Sequence, residues 1–318
     1  MRRELCEALV ARASRPDLVF LTGDLGFGAL EPLRDALGQR FLNAGIAEQN
    51  MIGVAAALAS EGLEPWTYTI APFCYARAFE QIRNDVCFHR LPVRMLANGG
   101  GYGYGVMGPT HHALEDYGIL STLPSLRILV PAFDSDVAAV VEAAGRDPGP
   151  VYVRLGRGEL PAGCTAPPYA PWRRLREGSG PVVVAVGPMA GVAWSALMSE
   201  AEDGPELWAV SELPLAMSPP PPAFVQALAG RKLCVVEEHV AQGGLGQALA
   251  AWCLETGIAV AGFRPVTAAG YPSGTYGSQG FHRRESGLDP DALRSLSRDH
   301  LPDHLPDHLP DHLQGLSA

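Results

Sequence analysis

Glu48 is the residue of this sequence best placed to do chemistry. It stands in the run Gly45-Ile46-Ala47-Glu48-Gln49-Asn50, directly ahead of Met51-Ile52-Gly53-Val54-Ala55-Ala56-Ala57-Leu58-Ala59. A carboxylate in the first turn of a helix complements the dipole and takes free N–H groups, which alone could explain it. The helix that follows reads as apolar on all sides and therefore buried, and a carboxylate at its head then needs a partner. A buried carboxyl able to hold or yield a proton suits acid–base work. His111, in Gly108-Pro109-Thr110-His111-His112, sits in a Gly/Pro-rich loop after an apolar run. Loops after parallel strands are where such sheets build their sites. Arg157, in Val153-Arg154-Leu155-Gly156-Arg157-Gly158, lies at the end of an expected strand, where an arginine can serve an ion pair at an interface or linker. Gly243-Gly244-Leu245-Gly246 lacks the G-x-G-x-x-G spacing, and no helical pattern begins at Gly99-Gly100-Gly101, so neither is a dinucleotide loop.

Short apolar runs alternate with helical patterns around these residues. Strands are expected at 18–22, 41–44, 65–70, 93–97, 127–130 and 151–155, with helices at about 47–60, 75–89 and 134–144. Strand, helix, strand in repetition implies parallel pairing with helices on both faces. Gly and Pro then crowd the chain, and periodicity restarts with strands at 182–186, 207–210, 233–237 and 258–263 and helices at 189–201, 222–229 and 243–256. The expected organisation is a first domain over 1–160, a linker over 161–180, a smaller α/β domain over 181–297 and a low-complexity tail over 298–318. In that tail Asp-His-Leu-Pro recurs, carrying His300, His304, His308 and His312. The recurring Pro forbids a continuous helix, and the tail reads as a replicated, disordered extension rather than a metal site.

The chain has 318 residues, enough for two ordinary cores. A net charge of −10, with no basic stripe, argues against a nucleic-acid binder. Its six cysteines form no CxxC pair and read as reduced thiols. No signal-type start and no run of about 18 apolar residues is present, so a soluble cytoplasmic protein without a membrane span is expected.

Five runs in order resemble the C-terminal half of transketolases, and more closely the small subunit of split transketolases. They are Leu21-Thr22-Gly23-Asp24-Leu25, Gly45 to Asn50, Arg77 to Arg83, Gly108 to His112, and Val236-Glu237-Glu238-His239 ahead of Gly243 to Gly246. The same region is similar to 1-deoxyxylulose-5-phosphate synthase, and the resemblance runs from about residue 5 to 295. It implies two three-layer α/β domains with mostly parallel sheets, a pyrimidine-binding domain and a transketolase C-terminal domain. It implies thiamine diphosphate as cofactor, with Glu48 hydrogen-bonded to N1′ of the pyrimidine and favouring the 4′-imino tautomer that takes the C2 proton. Phe73, or else Tyr75, would offer the aromatic face, and Asp24 and Gln81 would join the cofactor site. His111 would place and polarise the substrate, with His112, Arg157 and Tyr102 as further substrate contacts.

The family's diphosphate and Mg²⁺ site, a Gly-Asp-Gly motif with a downstream Asn, is missing here. The resemblance therefore implies an N-terminal transketolase subunit as partner, with homodimerisation inside an α₂β₂ assembly. A histidine and an aspartate that contact sugar phosphates in ordinary transketolases fall at about Gly99 and Met107, so a non-standard sugar-like substrate is expected. Two rival readings remain open: the beta subunit of a 2-oxo acid dehydrogenase decarboxylase, and a non-catalytic scaffold or regulatory subunit.

Overall fold

The computed structural model describes residues 1–297; the Asp-His-Leu-Pro repeats lie outside the described residues. The first sheet contains β1 (Leu18–Thr22), β2 (Phe41–Asn43), β3 (Glu64–Ile70), β4 (Arg94–Asn98), β5 (Arg127–Leu129) and β6 (Val151–Leu155). They pair in parallel in the order β5–β6–β4–β3–β1–β2. Along this part of the chain run α1 (Arg2–Arg12), α2 (Glu31–Leu37), α3 (Glu48–Ser60), α4 (Ala71–Tyr75), α5 (Phe79–Gln81), α6 (Asp116–Leu120) and α7 (Val137–Arg146). Alternate residues of each strand serve opposite faces. Leu18 and Phe20 join Leu5 and Leu9 of α1 and Val137, Val140 and Val141 of α7. Val19 and Leu21 join Met51, Ile52 and Ala55 of α3. With both faces covered, β1 reads as a continuous apolar run.

The second sheet contains β7 (Trp172–Arg176), β8 (Val182–Val186), β9 (Glu206–Val210), β11 (Lys232–Glu237) and β12 (Gly262–Thr267), in the order β12–β11–β8–β9–β7. All its pairs are parallel except β7 with β9. The two-residue β10 (Glu212–Leu213) adds an antiparallel edge to β5 of the first sheet. Helices α8 (Met189–Leu197), α9 (Pro222–Leu228), α10 (Leu245–Thr256) and α11 (Gln279–Glu285) accompany the second sheet.

Four local expectations need correction. The stretch 161–180, read as a linker, holds strand β7; its three arginines hide it, and Arg173 is fixed by an ion pair with Asp136 at 2.6 Å. The last strand lies at 262–267 rather than 258–263. It contains Pro265, tolerated because β12 is an edge strand. The helix expected over 75–89 is three pieces, α4, α5 and a π-helical turn at Ile82–Cys87, and it breaks where Ala78 leaves helical geometry. Helix α3 is not apolar-buried on all sides, since Gln49, Asn50, Val54 and Ala57 are exposed.

Candidate active site

The chain runs from β1 to β2 on one side, then returns past β1 to place β3 on the other. The sheet order therefore switches between β1 and β3, and ligands of such sheets bind outside the carboxyl ends of the strands at that switch. Glu48 lies at this switch, between the ends of β1 and β3. Its Oε1 accepts from the Thr69 hydroxyl at 3.1 Å, near the end of β3. A Cβ on Gly23, just past the end of β1, would lie 3.5 Å from the same oxygen. Glu48 is only 1% exposed although it sits in the first turn of α3. Its second oxygen, Oε2, accepts from Arg77 Nη1 at 2.7 Å.

Phe73 stands beside this carboxylate on α4. Its half-buried ring lies under the Arg77 guanidinium, 4.3 Å from ring centroid to Cζ. The same ring meets His111 edge-on at 5.2 Å. His111 is held by Thr110, whose Oγ1 lies 2.9 Å from its Nδ1, and the Tyr104 ring is 5.7 Å away. Glu48, Arg77, Phe73 and His111 thus form one connected group drawn from α3, α4, the break after α4 and the loop after β4.

Other predicted site residues have different surroundings. Tyr75 is buried and donates its hydroxyl to Glu115 at 2.8 Å; burial, then the Glu115 charge, pushes that phenol far up. The Oε1 of Gln81, on α5 against α3, is buried with no hydrogen-bond partner among the described residues. Asp24 accepts from Asn43 at 2.8 Å at the mouth of the β1–β2 edge, with φ +58°. Arg157 is exposed and lines a separate cleft of about 750 Å³ with Arg283 and Arg284.

Tyr102 and His112, expected as substrate contacts, are spent inside the protein. Tyr102 is fully buried; its hydroxyl donates to the Gly270 carbonyl at 2.8 Å and its ring stacks on His282 at 4.9 Å. His112 Nε2 is 2.8 Å from the Gly105 carbonyl, so that nitrogen carries the hydrogen and Nδ1 accepts from the Tyr271 hydroxyl at 2.8 Å. Burial, reinforced by His282, lowers the affinity of His112 for a second proton. Sequence alone does not reveal their burial, because the segment that covers them, 270–286, is far away in the chain.

The motif Val236-Glu237-Glu238-His239 supports the loop from below. Glu238 accepts from the Tyr102 N–H at 3.1 Å and from Arg283 at 2.7 Å. A Cβ on Gly101, where φ is +63°, would strike its carboxylate at 2.7 Å. Glu237 accepts from the Tyr117 hydroxyl at 2.6 Å and from the N–H groups of Leu245 and Gly246. The glycine run 243–246 therefore serves an internal carboxylate.

Residues 4–162 match the family described as transketolase, pyrimidine binding domain. The chain is 31% identical to one subunit of the apulose-4-phosphate transketolase of Actinobacillus succinogenes over 291 residues, 88% of this chain and 91% of that one. The chain belongs to the transketolase family. Among solved transketolase structures, one described as a split gene transketolase, inactive beta4 tetramer, superposes with TM-score 0.76 at 30% identity, covering 93% of this chain and 96% of that one. A 1-deoxy-D-xylulose-5-phosphate synthase of Heliobacterium modesticaldum is 32% identical over 225 residues, 69% of this chain but 34% of that longer protein. The sequence points to no role for Arg77; its spacing four residues after Phe73 is the available signal.

Proposed function

We propose that this chain is the pyrimidine-holding subunit of a two-chain, thiamine diphosphate-dependent transketolase-like enzyme. It would transfer a two-carbon ketol unit from a ketose-type donor to an aldehyde or ketone acceptor. The observation that carries the proposal is the buried Glu48 carboxylate at the sheet's switch point, with Phe73 and His111 beside it. The residues fit the pyrimidine half of the cofactor: an acidic group on a rigid helix start, a half-buried aromatic ring, and a buried amide oxygen of Gln81 still lacking a donor. When bound, thiamine diphosphate supplies a carbanion at C2 that adds to carbonyl carbon.

The roles of this chain follow from position. Glu48 would hold or release a proton at N1′, its backbone fixed by α3 and its carboxylate oriented by Thr69. Phe73 would take the pyrimidine ring on its face. His111, exposed enough to reach a ligand and oriented by Thr110, would donate to or accept from the substrate oxygen. Tyr75 and Asp24 would stay at the margin of the cofactor site, and Arg157 would meet an anionic end of the substrate from its own cleft. Mg²⁺ and the diphosphate would be held by an N-terminal partner subunit, in an α₂β₂ assembly. The six unpaired cysteines support a reducing, cytoplasmic setting, and no described helix is long and apolar enough to cross a membrane.

Hydrogen–deuterium exchange at cofactor C2 tests the assignment. In the assembled enzyme, Glu48→Ala should abolish that exchange while the fold is kept. Exchange at the wild-type rate would refute it.

A further inference from the structure

We infer that Arg77 is an internal occupant of the pyrimidine site, displaced when the cofactor loads. The inference rests on the proposed roles of Glu48 and Phe73. An aminopyrimidine in that site needs a flat aromatic surface and a carboxylate edge. Here both are taken by one guanidinium: its Nη1 donates to Glu48 Oε2 at 2.7 Å, and its carbon lies 4.3 Å from the Phe73 ring centroid. Guanidinium is planar, presents N–H donors along its edge and stacks on aromatic faces, so it satisfies the same two surfaces as the pyrimidine. The other Glu48 oxygen is already bound to Thr69. Both cannot occupy the place at once.

Mobility decides which partner yields. The Glu48 side chain is 1% exposed and anchored at the head of α3, whereas that of Arg77 is 42% exposed and lies in the break between α4 and α5. The arginine can swing to solvent; the carboxylate cannot. Nor can Glu48 be left alone, since a buried charge without a partner is costly. The ligand must therefore bring its own partner to Glu48 as Arg77 leaves. The isolated chain is closed to the pyrimidine, and the extra contacts supplied by the diphosphate-holding subunit would shift the exchange toward loading.

Calorimetric titration of the full chain with 4-amino-5-hydroxymethyl-2-methylpyrimidine tests the inference. Arg77→Met, which keeps the stem and removes the competing cation, should tighten binding by about tenfold or more, the equivalent of one lost competing hydrogen bond. Arg77→Lys, which keeps the charge without the flat fork, should fall between. Adding Glu48→Gln should remove the gain. Binding by Arg77→Met no tighter than wild type, yet still weakened by Glu48→Gln, overturns the role of Arg77 and leaves the pyrimidine site standing. Binding indifferent to Glu48→Gln in both backgrounds overturns the site itself. A second measurement is independent of the pyrimidine: thermal unfolding of the Arg77→Ala chain. Millimolar methylguanidinium should raise its Tm more than the same concentration of tetramethylammonium; equal effects on Tm would show that no guanidinium-shaped site exists.

Discussion

The ring of Phe73 meets the ring of His111 edge-on, with 5.2 Å between centroids. This contact joins two parts of the site that arise from different strands, α4 after β3 and the loop after β4. A change at one residue should therefore be felt at the other. His111→Ala is expected to lower kcat/KM of the assembled enzyme by roughly 10²-fold or more, the usual contribution of one placed acid–base group. Phe73→Ala, which removes the proposed aromatic platform, is expected to lower it as well. The double variant should lose less than the product of the two, because residues acting as a unit are not additive. Steady-state kinetics of the four proteins gives the coupling. Strict additivity would mean that the two rings work separately.

Asp116 and Arg154 form the most deeply buried ion pair described, at 2.8 Å with 0% and 4% side-chain exposure. Arg154 also donates to the carbonyls of Ala113 and Glu238, tying the His111 loop to the second sheet. Asp116→Ala strands a buried guanidinium and should cost about 3–5 kcal/mol. Arg3→Ala, which loses solvent-exposed pairs with Glu4 and Glu7, should cost under about 1 kcal/mol. Urea titration distinguishes the two. A small loss at Asp116 would show that solvent reaches the pair.

The alternation of strand and helix was legible because β1, β3 and β6 are runs of buried residues, and GIAEQN marked the start of α3. Glu48 and His111 stand out as candidates from their own neighbours, GIAEQN and GPTHH. What could not be read was contact across long separation. Tyr102, expected as a substrate contact, has its hydroxyl bonded 168 residues away at Gly270. His112 is covered by Tyr271 for the same reason. Strand β7 is hidden by its charges: Arg173 pairs with Asp136 from elsewhere in the chain, Arg174 with the nearby Glu177, and Arg176 donates to the Glu200 carbonyl.

His112 makes stability depend on pH. In the folded chain it faces Tyr102, Tyr271, His282 and the Gly105 carbonyl, with the Glu238 and His111 side chains adding smaller electrostatic effects. Burial, with His282 adding to it, depresses its proton affinity below the ordinary 6.5. The unfolded chain then binds this proton more readily than the folded one. Its contribution is therefore intact above pH 6.5 and is lost progressively as pH falls below that value toward the folded pKa. His112→Gln can keep both hydrogen bonds without titrating. Between pH 7.5 and 5.5 the urea midpoint of the wild type should fall more steeply than that of the variant. Parallel curves would show that His112 does not govern this window.

Substrate choice follows from what fills the space at Gly99. In ordinary transketolases a histidine that contacts the sugar phosphate is expected near this place. Here Gly99 has φ +79°, and a Cβ would lie 2.2 Å from the Tyr104 ring. Tyr104 itself is anchored by Asn98, which donates to its hydroxyl at 2.7 Å. A larger side chain at 99 would need both a left-handed backbone and the removal of that ring. Met107, near where the resemblance leads one to expect an aspartate, is 53% exposed beside Val106 and offers no polar group for a hydroxyl. Sites that discriminate polyols depend on paired polar groups, so this one should handle ordinary sugar phosphates poorly. Arg157 and Arg284 could still attract an anion to their cleft, but exposed arginines compensate a phosphate dianion weakly. With xylulose 5-phosphate and ribose 5-phosphate, the assembled enzyme should show kcat/KM below roughly 10⁴ M⁻¹s⁻¹, the low end for ordinary enzymes. Steady-state kinetics with that pair decides the matter. Turnover above that level would mean that the missing polar groups are supplied by the partner subunit and that the substrate is an ordinary sugar phosphate.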